Sequence, residues 1–486
     1  MHMVAGSFAV VTVDAFVFGN VSTTTGIEAL VAVNYSEQNA CQSIVGIDAC
    51  SMHESCIHRL KGGLKCTESG KKSSIPVRSG PPQSLLKFKN VTYMQSKTSM
   101  PIKIGVLYST SGVTSLVERT QLQATQLAVE EINATGGVNG REIQLICLDP
   151  ACTPSNYPGM AEKLIREYGV RLIMGCYMSS ARKAVIPIVE RQNALLFYAT
   201  PYEGFEYSRN VFYAGAAPNQ NILPLASYML SHHGMRVAMV GSDFVCPYES
   251  NRIMNELIQE RGGEKVNETY LPLNATLDDF KSVASRLQAL SPDFIFSTVV
   301  GAGNAHLHRA LADAGLDPFK TPVASHMSSE TEIAAIGADL AEGLITCAGY
   351  FQSLPTIENH RVVALHKARF GDSGSTNVCW EAAYFQMHLL AKAISICESD
   401  DPTLLARVLP GLEFDAPQGL VKIDEQNNHT YLNPRIGRCN SNGQFDVLAS
   451  ASELVRADPF VIAHTSPLWT AEKNSNLGRL LPGVTP

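Results

Sequence analysis

From Ile102 onward the chain alternates short aliphatic runs with longer amphipathic stretches, and that alternation constrains the fold more than any other feature. The runs IKIGVLY, EIQLICL, RLIMGC and ALLFYAT read as strands, with helices expected near 116–132, 159–167 and 181–191 between them. Each strand–helix–strand step needs a crossover, so repeated steps imply parallel strands covered by helices on both faces. A second series follows: a helix over 222–232, then VAMVGSD, a helix near 249–261, EKVNETYLPL, a helix over 278–290, FIFSTVV, another helix and PVASH. The expected fold class is therefore α/β, two doubly wound parallel-sheet lobes with a ligand cleft between them. In open sheets of this kind ligands sit just beyond the C-terminal ends of the strands.

Residues 1–100 have a different composition and end in the Ser, Lys, Gly and Pro-rich run SGKKSSIPVRSGPPQSLLKFKN, which reads as a linker or disordered lead. The apolar run SFAVVTVDAFVFGNV near the start follows no Lys or Arg and is interrupted by Asp14. It reads neither as a signal peptide nor as a membrane span of about 20 apolar residues. A formal charge of −7 over 486 residues offers no basic surface and argues against direct nucleic-acid binding. The twelve cysteines are scattered rather than framed, and Cys147, Cys176, Cys347 and Cys397 read as small buried hydrophobes, a usage that suits a reducing compartment.

Between residues 175 and 210 an aromatic loop, a hydroxyl-led helix start and a second aromatic loop follow one another. Ser179 and Ser180 can cap the helix that begins at Ala181, aiming backbone N–H groups at a short polar ligand. Tyr177, Tyr202 and Tyr207 can wall such a pocket, and Glu203 can receive an N–H or pair with an arginine. GAGNAH at Gly301 has His306 in place of the third glycine of a dinucleotide fingerprint, so no cofactor is expected. Cys176 and Cys246 lack the acid–base partners of a thiol nucleophile, so no catalytic residue is assigned and the chain reads as a binder rather than an enzyme. Cys50, His53, Cys56 and His58 match no standard zinc spacing, and no metal site is expected.

GCYMSSARKAV and TPYEGFEYS, together with YSTSGVTSLVER, AAPNQN, GSDF, YESN, STVVG, DAPQG and QNNHTYL, occur in an order that resembles the amide-binding negative regulators of bacterial amidase operons. These are relatives of the urea and short-chain-amide binding proteins of ABC transporters. The resemblance runs over roughly residues 101–470. It implies a type I periplasmic-binding fold in which the chain crosses the hinge several times, with lobe 1 formed by 101–220 and 352–415, lobe 2 by 221–351 and 416–470, and a tail at 471–486. It also implies ligand-contacting positions at Ser179, Tyr198 and Thr200, and Tyr177, Tyr202, Phe244, Cys246 and Ser328 complete the expected ligand-binding set. Phe244 and Cys246 depart from the family, which commonly has tyrosine and another aromatic there.

The function expected on this footing is binding of a short-chain aliphatic amide or urea by a cytoplasmic sensor that holds an RNA-binding antiterminator. The alternative is the solute-binding component of an ABC transporter, outside the cytoplasmic membrane with a permease as partner. Homo-oligomerisation is left open.

Overall fold

A computed structural model of the chain describes residues 100–371, 374–462, 464 and 467–471, together with five short strands before residue 49. Those strands form two small antiparallel sheets, His2–Val4 with Val10–Thr12, and Phe16–Phe18, Glu28–Val33 and Ser43–Asp48, in a unit that ends at Met94. The expected linker, the Cys50–His58 cluster and the tail beyond 471 lie outside the described residues.

The second compact unit begins at Gln95. Its first sheet is wholly parallel, in the order Val211–Tyr213, Leu195–Tyr198, Leu172–Gly175, Ile102–Leu107, Ile143–Cys147. The central strands are buried on both faces, which explains their unbroken apolar runs. Helices Ser115–Ala134 and Val378–Cys397 cover one face, with Trp380 stacked on Tyr384 at 5.2 Å between centroids. Helices Asn156–Arg166 and Ser179–Arg191 cover the other. The helix at 378–397 packs in the core of this first sheet.

The second sheet departs from the expectation of a second parallel sheet. Glu264–Leu271, Arg236–Ser242, Phe294–Thr298, Val323–Ala324 and Ile345–Ala348 run parallel, but Arg435–Cys439, Phe445–Ala451 and Trp469–Ala471 extend the sheet antiparallel. Antiparallel strands need no helical crossover between them, so these three carry no helix to signal them. The segment after 416 also differs from the expected lobe boundary. The antiparallel strands Glu413–Ala416, Gly419–Ile423 and Thr430–Tyr431 put Val421, Ile423 and Leu432 into the core of the first lobe, and the chain crosses only before Arg435.

Two cysteine readings change as well. Cys147 is exposed, on an edge strand, and Cys397 is half-exposed at the end of its helix, whereas Cys176 and Cys347 are buried. The eight described cysteines are all free thiols. No described helix is long and apolar enough to cross a membrane.

Candidate functional site

The strand Leu172–Gly175 ends in Cys176, whose φ of 67° lies in the left-handed region that a side-chain-bearing residue rarely occupies. Its N–H donates to the Leu107 carbonyl at 3.1 Å, which fixes the turn and sends Tyr177 and Met178 over the C-terminal edge of the sheet. The helix then starts at Ser179, two residues earlier than expected, with Met178 as its N-cap and no side-chain cap. Ser179 and Ser180 therefore do not cap it. The Ser179 hydroxyl donates to Glu203 Oε2 at 2.5 Å, a charge-assisted bond that fixes where its proton points.

Glu203 is held in place by a buried cluster. Arg182, with no solvent exposure, ion-pairs with Glu203 at 3.5 Å and Glu206 at 2.7 Å, and its NH1 donates to Ser179 Oγ at 3.3 Å. Its guanidinium lies 4.5 Å from the centroid of Tyr198 and 4.6 Å from that of Tyr202, so two aromatic faces share the charge. Behind them the Tyr202 hydroxyl meets His429 Nε2 at 2.5 Å, and the His429 ring stacks on Tyr213 at 4.2 Å. Burial holds His429 down to about 4, so the ring is neutral at physiological pH. Tyr202 thus belongs to the support of the wall and lines neither part of the cleft, while Tyr207 is nearly half exposed.

In front of this support lie two adjoining chambers. The first, about 20 Å³, is lined by Ser179, Tyr198, Phe244, Cys246, Leu273 and Val300. The second, about 30 Å³, is lined by Asn221, His326, Ser328, Glu332, Cys347 and Cys379. Tyr177, Thr200, Pro201 and Met327 border both. Seven of the eight positions named from the sequence therefore meet around one divided cleft. A water-sized site needs about 10–15 Å³ on this scale, so each chamber admits a group of very few heavy atoms.

The lining is short of charge. Among its residues there is no Lys or Arg, and its two ionisable groups of ordinary pH are suppressed by burial: His326 is held down to about 3 and the Glu332 carboxyl is pushed up. Burial also raises the thiols of Cys176 and Cys246, which leaves neither poised as a thiolate nucleophile. Three lining atoms, Asn221 Nδ2, His326 Nδ1 and Ser328 Oγ, are buried without a hydrogen-bond partner among the described residues.

Asn221 and His326 were not singled out from the sequence. Each carried a signal: Asn221 closes the quoted AAPNQN motif, and His326 stands at the end of PVASH, directly after the strand Val323–Ala324. The helix after GSDF begins at Val245, so Phe244 is its N-cap residue and Cys246 lies in its first turn.

A two-lobed α/β body, one sheet parallel and one mixed, with its cleft at the strand ends agrees with the family profile described as "Periplasmic binding protein domain", which matches residues 102–466. The chain belongs to the periplasmic binding protein family. The leucine-, isoleucine-, valine-, threonine- and alanine-binding protein of Pseudomonas aeruginosa is 25% identical over 332 residues, 67% of this chain and 87% of that protein. The Leu/Ile/Val-binding protein of Escherichia coli K12 is 23% identical over 333 residues, 67% of this chain and 88% of its own. Among solved structures, an ABC-transporter solute-binding protein of Rhodopseudomonas palustris HaA2 in complex with p-hydroxybenzoic acid superposes with a TM-score of 0.68 at 21% identity. It covers 76% of this chain and 100% of that one. These relatives are solute-binding proteins, and the cytoplasmic location and antiterminator partner expected above draw no support from them.

Proposed function

We propose that this chain is the solute-binding component of an ABC transporter and that its cleft takes a small neutral polar solute, a short primary amide or urea. The role follows the relatives, which are transport proteins for amino acids and aromatic acids, and with it goes a place outside the cytoplasmic membrane and a permease as partner. The ligand class rests on one observation, the Ser179–Glu203 hydrogen bond. A hydroxyl has one proton and two lone pairs. Ser179 gives its proton to Glu203 and takes an N–H from Arg182, leaving one lone pair, which accepts an N–H from a ligand and repels a carboxylate. Amino acids and aromatic acids both carry a carboxylate; a primary amide carries N–H donors and no charge.

The same neutral chemistry favours a second reading, an amide sensor of the kind the sequence resembles. Calorimetry with acetamide, butyramide, urea, leucine and p-hydroxybenzoate separates the ligand classes. Binding of an amide or urea without ammonia release supports the reading, and tight binding of leucine or p-hydroxybenzoate alone overturns it. Permease and ATPase genes beside this one support transport, and an antiterminator gene supports sensing.

A further inference from the structure

The second chamber is furnished for a polar group, yet the reading above needs only the first. Asn221 is 1% exposed, Ser328 4% and His326 7%. All three border the chamber with a polar atom that has no partner among the described residues. Leaving buried polar atoms unpaired costs about 1–3 kcal/mol each, so three around one small space are a preformed surface for something that pairs them.

What they would pair is legible atom by atom. Asn221 Oδ1 accepts the Ile222 N–H at 2.6 Å, which fixes the amide orientation and leaves both Nδ2 protons to donate. Ser328 Oγ can donate and accept. His326 is stacked on Phe296 at 5.7 Å between centroids and meets Ser250 Oγ through Nε2 at 3.2 Å; because that hydroxyl can take either role, Nδ1 is free to accept. A carbonyl oxygen therefore suits Asn221 and Ser328, and an adjoining N–H suits His326. The neighbouring Glu332 accepts from the Ser329 N–H at 2.9 Å and hydroxyl at 2.6 Å, so it is already engaged, and no cation lines the chamber to receive an acid.

We infer that the cleft takes a two-ended neutral ligand, a small diamide or ureido-amide, one end at Ser179 and Thr200 and the other at Asn221, His326 and Ser328. The inference rests on the amide reading and extends it to the second chamber. It gives Asn221, His326 and Ser328 a specificity role that a monoamide, ending in the first chamber, would not use.

The test is calorimetry on the full chain with butyramide, malonamide and succinamide, the first and last having four carbons each. A diamide should bind at least tenfold more tightly than butyramide. Ser328→Ala, which removes an atom with no partner among the described residues, and His326→Phe, which keeps the ring stack, should each erase most of that difference by weakening the diamides far more than butyramide. Equal affinities for butyramide and both diamides overturn the inference and leave the amide reading standing. A diamide preference that survives Ser328→Ala in a folded variant also overturns it. No heat with any of the three overturns both.

Discussion

Replacing Glu203 with glutamine separates neutral from charged ligands, and its effect can be worked from the distances around Ser179. A ligand atom bonded to Ser179 Oγ lies no further from Glu203 than the sum of the 2.5 Å hydroxyl bond and a second bond of about 2.8 Å. At about 5.3 Å and an effective dielectric of about 20, one carboxylate repels another by roughly 3 kcal/mol. Arg182, whose NH1 is 3.3 Å from the same hydroxyl, attracts the ligand by a similar amount, so the wild-type site is close to neutral. In Glu203→Gln the repulsion goes and the attraction remains, offset in part by Glu206. Butyrate should therefore tighten by about 1–3 kcal/mol, roughly five- to 150-fold. Butyramide should weaken by about 0.5–1.5 kcal/mol, because the Ser179 proton is no longer directed by a charged acceptor. The assay is calorimetry with both ligands on both proteins, with the melting temperature as the check on folding. A butyramide-to-butyrate affinity ratio that moves less than about threefold in a folded variant would refute the argument.

Arg182→Leu should destabilise by about 3–5 kcal/mol in urea unfolding, because it strands two buried carboxylates, and adding Glu203→Gln and Glu206→Gln should recover much of that. A bound amide at about 100 times its dissociation constant should raise the unfolding free energy by about 2.7 kcal/mol, read as a melting shift that scales with ligand concentration. A chain that begins at Gln95, where the second compact unit starts, should fold and bind as the whole chain does; insoluble protein would contradict this. Burial raises Glu330 and Glu381 from 4.5 to about 8, so the folded protein keeps protons that the unfolded chain releases between those values. Stability should then fall as pH rises from about 5 to about 8 and level off above, and Glu381→Gln should flatten the profile.

The fold was legible where periodicity carried it. The helix Ile222–His232 has the bounds its sequence suggested, and the first-lobe strands follow their apolar runs. What was not legible was non-local pairing. The antiparallel strands from Arg435 alternate weakly and have no helix between them, so nothing in their spacing says which sheet they join. At the site, the residues after strand ends were readable as lining, but the partner of Ser179 was not. A serine at a helix start is ordinarily a cap, and only the fold of the loop carrying Glu203 shows where its hydroxyl proton goes. Tyr202 illustrates the converse: an aromatic in the right loop whose face is spent on Arg182 and whose hydroxyl is spent on His429.

Both chambers draw walls from each lobe, but the polar groups that face a ligand come from different lobes in the two, and that bears on how binding couples to closure. Ser179, Tyr198 and Thr200 are carried by the first sheet and its helices, whereas His326 and Ser328 follow a strand of the second. Asn377, on the segment that returns to the first lobe, caps the helix Val378–Cys397 through Oδ1. Its Nδ2 donates to Thr120 of the first lobe at 2.9 Å and to Thr331 of the second at 2.7 Å. The Thr331 bond, the one of the two that spans the lobes, contributes about 0.5–1.5 kcal/mol, enough to bias the chain toward a closed form but not to fix it. A ligand shifts that balance only by the contacts it gains on closing. One held by the first lobe alone has the same partners whether the cleft is open or shut and moves nothing. One that also satisfies Asn221, His326 and Ser328 gains them only when the lobes meet. The unpaired atoms of the second chamber are then what makes closure, and not merely binding, selective.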